Sequence, residues 1–196
     1  MAPDRRLRRV VGVGATGAGK SVLAERLARS LGIIPFVELD ALFWGPEWTA
    51  AEPAAFRARV AAETAGPAWV VAGNYGAVRD LLWPRADTIV WLDYSFPVVL
   101  ARLTARTVYR GITRERLWNG NRENLWEHAM VWSEHSLFNW LFRTFWRYRR
   151  EFPALFRAPA HAHARVVHLR SPRAAREWLA VECAARAMPP LPGADR

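Results

Sequence analysis

The chain has 196 residues, 52% of them hydrophobic and 23% charged, enough to bury the core of one ordinary domain. Mean hydropathy is close to zero and no apolar run approaches the ~20 residues that span a bilayer, which excludes a membrane-embedded chain. The net charge is +10, but Lys20 is the only lysine among many arginines and alanines, so the excess reads as the arginine bias of a GC-rich genome before it reads as a polyanionic partner.

An Arg-rich start runs directly into a glycine loop and a lysine, which does not fit a secretory leader. Cys183 stands alone, so no internal disulfide can form and a cytoplasmic location is expected. In chain order, Arg9 to Val13 predicts a buried strand. Lys20 to Leu31 predicts a helix with Val22, Leu23, Leu27 and Leu31 on its apolar face and Gly32 as its stop. Ile33 to Leu39 predicts a second strand ending at Asp40. A helix capped by Thr49, with Glu52 three residues on and Pro53 in its first turn, follows, packing through Phe56 and Val60. Trp69 to Ala72 and Thr88 to Leu92 predict two more strands. Pro97 to Arg110 predicts a helix packing through Val99, Leu100, Leu103 and Val108, and another starts at Ser136. Arg165 to Leu169 is the last strand and Pro172 to Ala187 the closing helix. Short apolar strands alternating with helices predict a parallel α/β sheet covered on both faces, with ligands outside the carboxyl ends of the strands. The expected organisation is a single domain over 1–187, with a lid at about 111–135 and a loose tail over 188–196.

The segment Gly14-Ala15-Thr16-Gly17-Ala18-Gly19-Lys20-Ser21 matches the phosphate-loop pattern Gly-x4-Gly-Lys-Ser without substitution, and it follows a strand and opens a helix as that pattern requires. Its glycines let successive N–H groups turn toward a phosphate, and the helix adds its N-terminal partial charge. Gly14, Thr16, Gly17, Ala18, Gly19, Lys20, Ser21 and Val22 are therefore expected to bind ATP or GTP, Lys20 reaching the β- and γ-phosphates and Ser21 ligating Mg²⁺. A chain that uses arginine everywhere else keeps lysine where a compact point charge is wanted.

Asp40 is placed to hold a Mg²⁺-bound water or to accept the proton of an acceptor hydroxyl; its bland reading is a cap or turn former. Asp93, at the end of Ile89-Val90-Trp91-Leu92-Asp93, reads as a Mg²⁺ ligand or as a cap for the helix near Pro97. Arg102, Arg106 and Arg110 recur every four residues and so share one helix face, a row suited to the charge of a transferring phosphoryl group or to solvent. Arg170, after the last strand, or Arg173 is a candidate to stack on the base. Trp118, Trp126, Trp132, Trp140 and Trp146 lie among arginines, a pattern read first as a lid packing on the core and second as a nucleic-acid or membrane surface. His161, His163 and His168 complete no metal-ligand spacing and read as surface residues.

Together with the phosphate loop, Leu39-Asp40-Ala41-Leu42-Phe43-Trp44, Trp48, Gly73-Asn74-Tyr75 and Trp91-Leu92-Asp93 resemble the adenylate-kinase-related P-loop proteins, bacterial members of which are often named DNA topology modulation proteins. The resemblance runs from about Arg9 to Leu179. It implies a five-stranded parallel sheet with flanking helices and an arginine-bearing lid, with ATP and Mg²⁺ used on small phosphate acceptors. Asp40, Trp44, Gly73, Asn74, Tyr75 and Arg79 form the implied acceptor side, and Lys20, Asp40, Arg102, Arg106 and Arg110 the catalytic set. Relatives carry Asp before Gly-Asn-Tyr where this chain has Ala72, so Asp40 or Asp93 must supply the carboxylate. The glycine triplet of shikimate kinases is absent. The expectation is a small-molecule kinase acting on a nucleoside, nucleotide or small hydroxy acceptor. A nucleotide-dependent nucleic-acid-binding protein and a catalytically weak nucleotide sensor are the alternatives, and the sequence does not indicate an oligomeric state.

Overall fold

Five short runs rich in Val, Ile and Trp cannot leave either face in water, and each becomes a strand sandwiched between helices. The computed structural model describes residues 7–121 and 136–187. The strands are β1 (Arg9–Gly14), β2 (Phe36–Glu38), β3 (Trp69–Ala72), β4 (Thr88–Leu92) and β5 (Arg165–Leu169). They form one sheet in the order β2-β3-β1-β4-β5, with every neighbouring pair parallel. β1 is central, Gly12 lying between Ala72 of β3 and Val90 of β4. The five-stranded parallel α/β sheet expected from the sequence is the observed architecture.

The two faces carry separate cores. On one, Val10, Val70, Val90 and Leu169 pack under helix α1 (Lys20–Leu31), α5 (Phe96–Thr113) and α7 (Pro172–Ala187). On the other, Val11, Val71, Ile89 and Trp91 meet Phe56 and Val60 of α3 (Pro53–Glu63). The long helix α6 (Leu137–Arg157) serves both layers: Leu141 and Phe145 join the first core, Tyr148 and Phe152 the second. Phe152 is fully buried and meets Trp83, Trp91 and Phe156 at ring-centroid distances of 6.1, 5.9 and 5.6 Å.

Several local expectations are corrected by tertiary packing. The second strand pairs only from Phe36, because Pro35 has no N–H for the ladder, and Ile34 is 84% exposed. The chain turns helical at once, as α2 (Leu39–Phe43), so Asp40 sits in a helical first turn and not at a strand tip. Glu52, not Thr49, caps α3: its carboxylate accepts from the Ala55 N–H at 2.9 Å with Pro53 at the first helical position. In α1 the buried stripe is Ala24, Leu27, Ala28 and Leu31, an i, i+3, i+4, i+7 row that leaves Val22 half-exposed. In α5 the row Val99, Leu103, Thr107 turns inward, and Val108 faces out. Residues 188–196 and most of the expected lid, 122–135 with Trp126 and Trp132, lie outside the described residues. Among the described residues no helix is long and apolar enough to cross a membrane.

Because Phe152 meets four aromatic rings, those of Trp83, Trp91, Tyr148 and Phe156, Phe152→Ala is expected to cost about 3–5 kcal/mol, read as a lowered urea midpoint with little change in slope.

Candidate phosphate-transfer site

The carboxyl ends of β1, β2, β3 and β4 converge on the loop between Gly14 and Lys20. Gly17 adopts φ 79°, and a Cβ there would stand 2.9 Å from the Leu103 Cβ and 3.0 Å from the Val99 carbonyl oxygen. Only glycine lets the loop lie this close to α5. The Ala18 N–H donates to the Ala15 carbonyl at 3.2 Å, which tightens the curl. No side chain caps the N-terminus of α1, so its first-turn donors and partial positive charge face the loop. That arrangement fits a polyphosphate.

Lys20 donates to the Ala15 carbonyl at 3.0 Å. Its ammonium group is desolvated behind the loop, and this burial lowers its pKa to about 8; Asp40 and Glu38 pull it back up, while Arg106 pushes it down. The charges of Asp40, Glu38 and Arg106 thus all act on Lys20. Ser21 and Thr16 are half-buried beside them and Ala18 is buried.

The turn after β3 joins the two sides of this site. Gly73 has φ 146°, and a Cβ there would stand 2.8 Å from that of Leu39, so the bare glycine lets α2 close down on the turn. Asn74 spends both ends of its amide on Gly14, accepting from its N–H at 3.1 Å and donating to its carbonyl at 2.5 Å. Tyr75 donates its hydroxyl to Asp40 Oδ1 at 2.6 Å. Burial, and then the neighbouring Asp40 charge, push the Tyr75 pKa far up, so the phenol stays protonated and remains a donor. Among the described residues, Oδ1 is the only Asp40 side-chain oxygen that accepts a hydrogen bond. Three consecutive residues therefore hold helix, phosphate loop and carboxylate together.

The arginine row divides. Arg102 lies along the loop, its Nε 3.4 Å from the Gly17 carbonyl oxygen, and Arg106 acts on the Lys20 charge. Arg110 instead faces Glu115 at 3.5 Å. Arg79, expected on the acceptor side, opens the short helix α4 (Arg79–Leu82) and places its guanidinium 5.0 Å above the Trp83 ring. Arg170 is exposed at the end of β5, and Arg173 pairs with Glu177 at 2.6 Å.

Asp93, read from sequence as a Mg²⁺ ligand or helix cap, directs both oxygens elsewhere. Oδ1 accepts from Arg149 Nε at 2.6 Å and Oδ2 lies 2.9 Å from His168 Nε2. Arg149 also donates to the Asp93 and Tyr94 carbonyls. The helix that follows has Ser95 at its cap position, without a side-chain cap. His168 stacks on Trp91 at 4.1 Å but stays exposed, as does His163, whereas His161 is buried edge-on to Trp83 at 5.3 Å and is not the surface residue expected. Arg149 lies 56 residues from Asp93, and nothing in its local sequence marks it.

Glu38 is a site residue that the sequence reading passed over, although it lies two residues before Asp40. It accepts from the Trp118 indole N–H at 2.8 Å. Beside it the turn at Trp44 to Thr49 is laced to residues 117–121: Asn119 donates to the Trp44 carbonyl, Asn121 donates to that of Gly45, and the Trp48 N–H donates to the Asn121 side chain. A groove of about 450 Å³ between α1 and α7, lined by Arg26, Arg29, Arg176 and Cys183 among others, lies away from all of these residues.

Two outcomes are expected. A bound polyphosphate favours charged Lys20 and raises its pKa above about 8. Nucleotide binding near that pH therefore takes up protons, and affinity falls as pH rises through it. Calorimetry in two buffers of different ionisation enthalpy reads the uptake, and Lys20→Met removes it. Losing the Asp93–Arg149 pair in Asp93→Asn is expected to lower stability by about 1–3 kcal/mol, measured by urea unfolding.

No family model matches the chain, and no curated protein matches it in sequence. Solved structures do match. A shikimate kinase from Acinetobacter baumannii, in complex with shikimate, is 20% identical over 89% of this chain and 90% of its own, with a TM-score of 0.51. A gluconokinase from Sinorhizobium meliloti 1021 is 21% identical over 93% of this chain and 94% of its own, also at 0.51. At these identities the likeness is one of fold, and the chain has the five-stranded parallel fold of the P-loop kinases.

Proposed function

We propose that the chain is a small-molecule kinase that moves the γ-phosphoryl group of ATP to a hydroxyl of a small acceptor. The observation that carries this reading is the turn at 73–75, which ties the Asp40 carboxylate and the phosphate loop into one unit, with the Asp40 charge acting on Lys20. A protein that only bound nucleotide would not need a carboxylate held by a half-buried phenol at the edge of the phosphate site.

In this reading the loop from Gly14 to Ser21 and the start of α1 cradle the nucleotide phosphates. Lys20, Arg102 and Arg106 oppose the charge that spreads over the γ-phosphoryl oxygens during transfer. Asp40 orients the acceptor hydroxyl and takes its proton as the oxygen bonds to the γ-phosphorus; the bond to the β–γ bridging oxygen breaks and ADP leaves. Tyr75 keeps Asp40 Oδ1 occupied, so Oδ2 is the oxygen offered to the acceptor. The donor set suits Mg²⁺, which asks for a hydroxyl or carboxylate and otherwise takes phosphate and water oxygens. Ser21 would hold it, with Asp40 reaching it through a bound water, and it would neutralise charge between the β- and γ-phosphates.

The test is ADP release from Mg-ATP with and without a panel of nucleosides, nucleoside monophosphates and small hydroxy metabolites. An acceptor that stimulates release should do so about 10²–10³-fold less in Lys20→Ala. ATP binding without stimulation by any acceptor would overturn the kinase reading.

A further inference from the structure

Gly14 is the last residue of β1 and the first of the phosphate loop, so its peptide group sets the direction in which the loop leaves the sheet. Toward β4 it is paired with Leu92, so closely that a Cβ on Gly14, whose φ is 147°, would stand 2.5 Å from the Leu92 carbonyl oxygen. Toward β3 the ladder stops short. Gly12 lies opposite Ala72, the Gly73 N–H still reaches the Gly12 carbonyl at 3.1 Å, and the chain then turns away. The half-buried Asn74 fills the next place, its amide accepting from the Gly14 N–H at 3.1 Å and donating to the Gly14 carbonyl at 2.5 Å. A side-chain amide carries the same donor and acceptor as a peptide group, so Asn74 continues the parallel ladder one step beyond the end of β3.

Two cations also hold the loop. Lys20 donates to the Ala15 carbonyl at 3.0 Å, and Arg102 Nε lies 3.4 Å from the Gly17 carbonyl oxygen. A polyphosphate competes for both, because a cation gains more from a phosphate oxygen than from a neutral carbonyl. The Asn74 amide carries no charge to be drawn away, and its two bonds run to the backbone at the root of the loop rather than to its open side. Its hold therefore persists when a phosphate takes Lys20 and Arg102. Glycines give the loop little stiffness of its own, so a fixed root matters more here than in an ordinary turn.

We infer that Asn74 is a positioning residue of the nucleotide site: it fixes the Gly14 peptide so that the loop's backbone donors are already turned toward the phosphates, and it acts on the nucleotide through Gly14 rather than on the acceptor. The sequence alone placed this residue among the acceptor contacts. Donors fixed in advance need not be reordered when the anion arrives, so their pre-organisation appears directly as affinity. The inference needs the phosphate loop to bind nucleotide, and it holds whether or not a phosphoryl group is then transferred.

The test is calorimetric titration of the full chain with inorganic tripolyphosphate, which probes the loop alone, and with Mg-ATP. Asn74→Leu keeps the bulk of the side chain and removes both hydrogen bonds. It should weaken both ligands by a similar factor, about 10–30-fold, with urea unfolding showing that the variant is folded at the assay temperature. Asn74→Asp is nearly isosteric and decides the matter alone if Asn74→Leu does not fold. Ionised, its carboxylate accepts from the Gly14 N–H but has no proton for the Gly14 carbonyl; protonated, it makes both bonds. Its affinity should therefore lie below that of the unaltered chain near neutral pH and climb back toward it as pH falls to about 5, since a neighbouring carbonyl oxygen and phosphate hold the carboxyl's pKa above its ordinary value. Comparison with the unaltered chain at each pH cancels the titration of Lys20 and of the phosphates. A residue that only stabilised the turn would lower the urea midpoint and leave both affinities alone. Affinities within about twofold of the unaltered chain, a loss for Mg-ATP without one for tripolyphosphate, or a loss in Asn74→Asp that does not change with pH would overturn the inference. Failure of the unaltered chain to bind either ligand would overturn it together with the phosphate-loop assignment. Weakened binding in Asn74→Leu, with no acceptor stimulating ADP release from the unaltered chain, would uphold it and count against the kinase reading alone.

Discussion

The arrangement depends on the hold that Asn74 exerts on Gly14. A phosphate loop must keep its backbone donors turned toward an anion, yet its glycines give it little stiffness of their own. Here one side-chain amide takes both the N–H and the C=O of the first loop residue, so the end of β1 cannot rotate without breaking two bonds. That amide stands next to Tyr75, which holds Asp40. Displacement of the turn would therefore move both sides of the site together.

Charge is distributed around this clamp with equal economy. The lone lysine is placed where desolvation brings it toward neutral pH, and two carboxylates and an arginine tune it from different directions. Carboxylates of similar sequence context do opposite things. Asp40 is held by a neutral phenol and stays available, whereas Asp93 is absorbed by Arg149 and His168 and joins β4, β5 and α6 into one body. The partners decide the roles, since a carboxylate held from both sides by an arginine and a histidine is a structural tie, and one held by a single phenol has an oxygen left over.

The aromatic residues divide in the same way. Trp69, Trp83 and Trp91 fill the core beneath the sheet, the last two against Phe156 of α6. Trp44, Trp48 and Trp118 line the open side of the site, on a backbone held in left-handed conformations by asparagine side chains. The solved kinases of like fold share the architecture at 20–21% identity.

The sequence by itself determined the strand order of events along the chain, the limits of β3, β4, β5 and α7, and the phosphate loop. These depend on local quantities: an apolar run, a helical period, a glycine spacing before a lone lysine. It also put Asp40 and Asn74 near the site, because both follow strands of a parallel sheet. Tertiary structure alone decided what these residues do. Asn74 could be read as an acceptor contact until the sheet brought it across from Gly14, 60 residues away. Asp93 looked like a metal ligand until α6 delivered Arg149. Glu38 went unnoticed because its significance comes from Trp118, 80 residues on. Hydrogen-bond partners and ion pairs across such separations leave no periodic trace in the chain, since they depend on which helices the two faces of the sheet bring together.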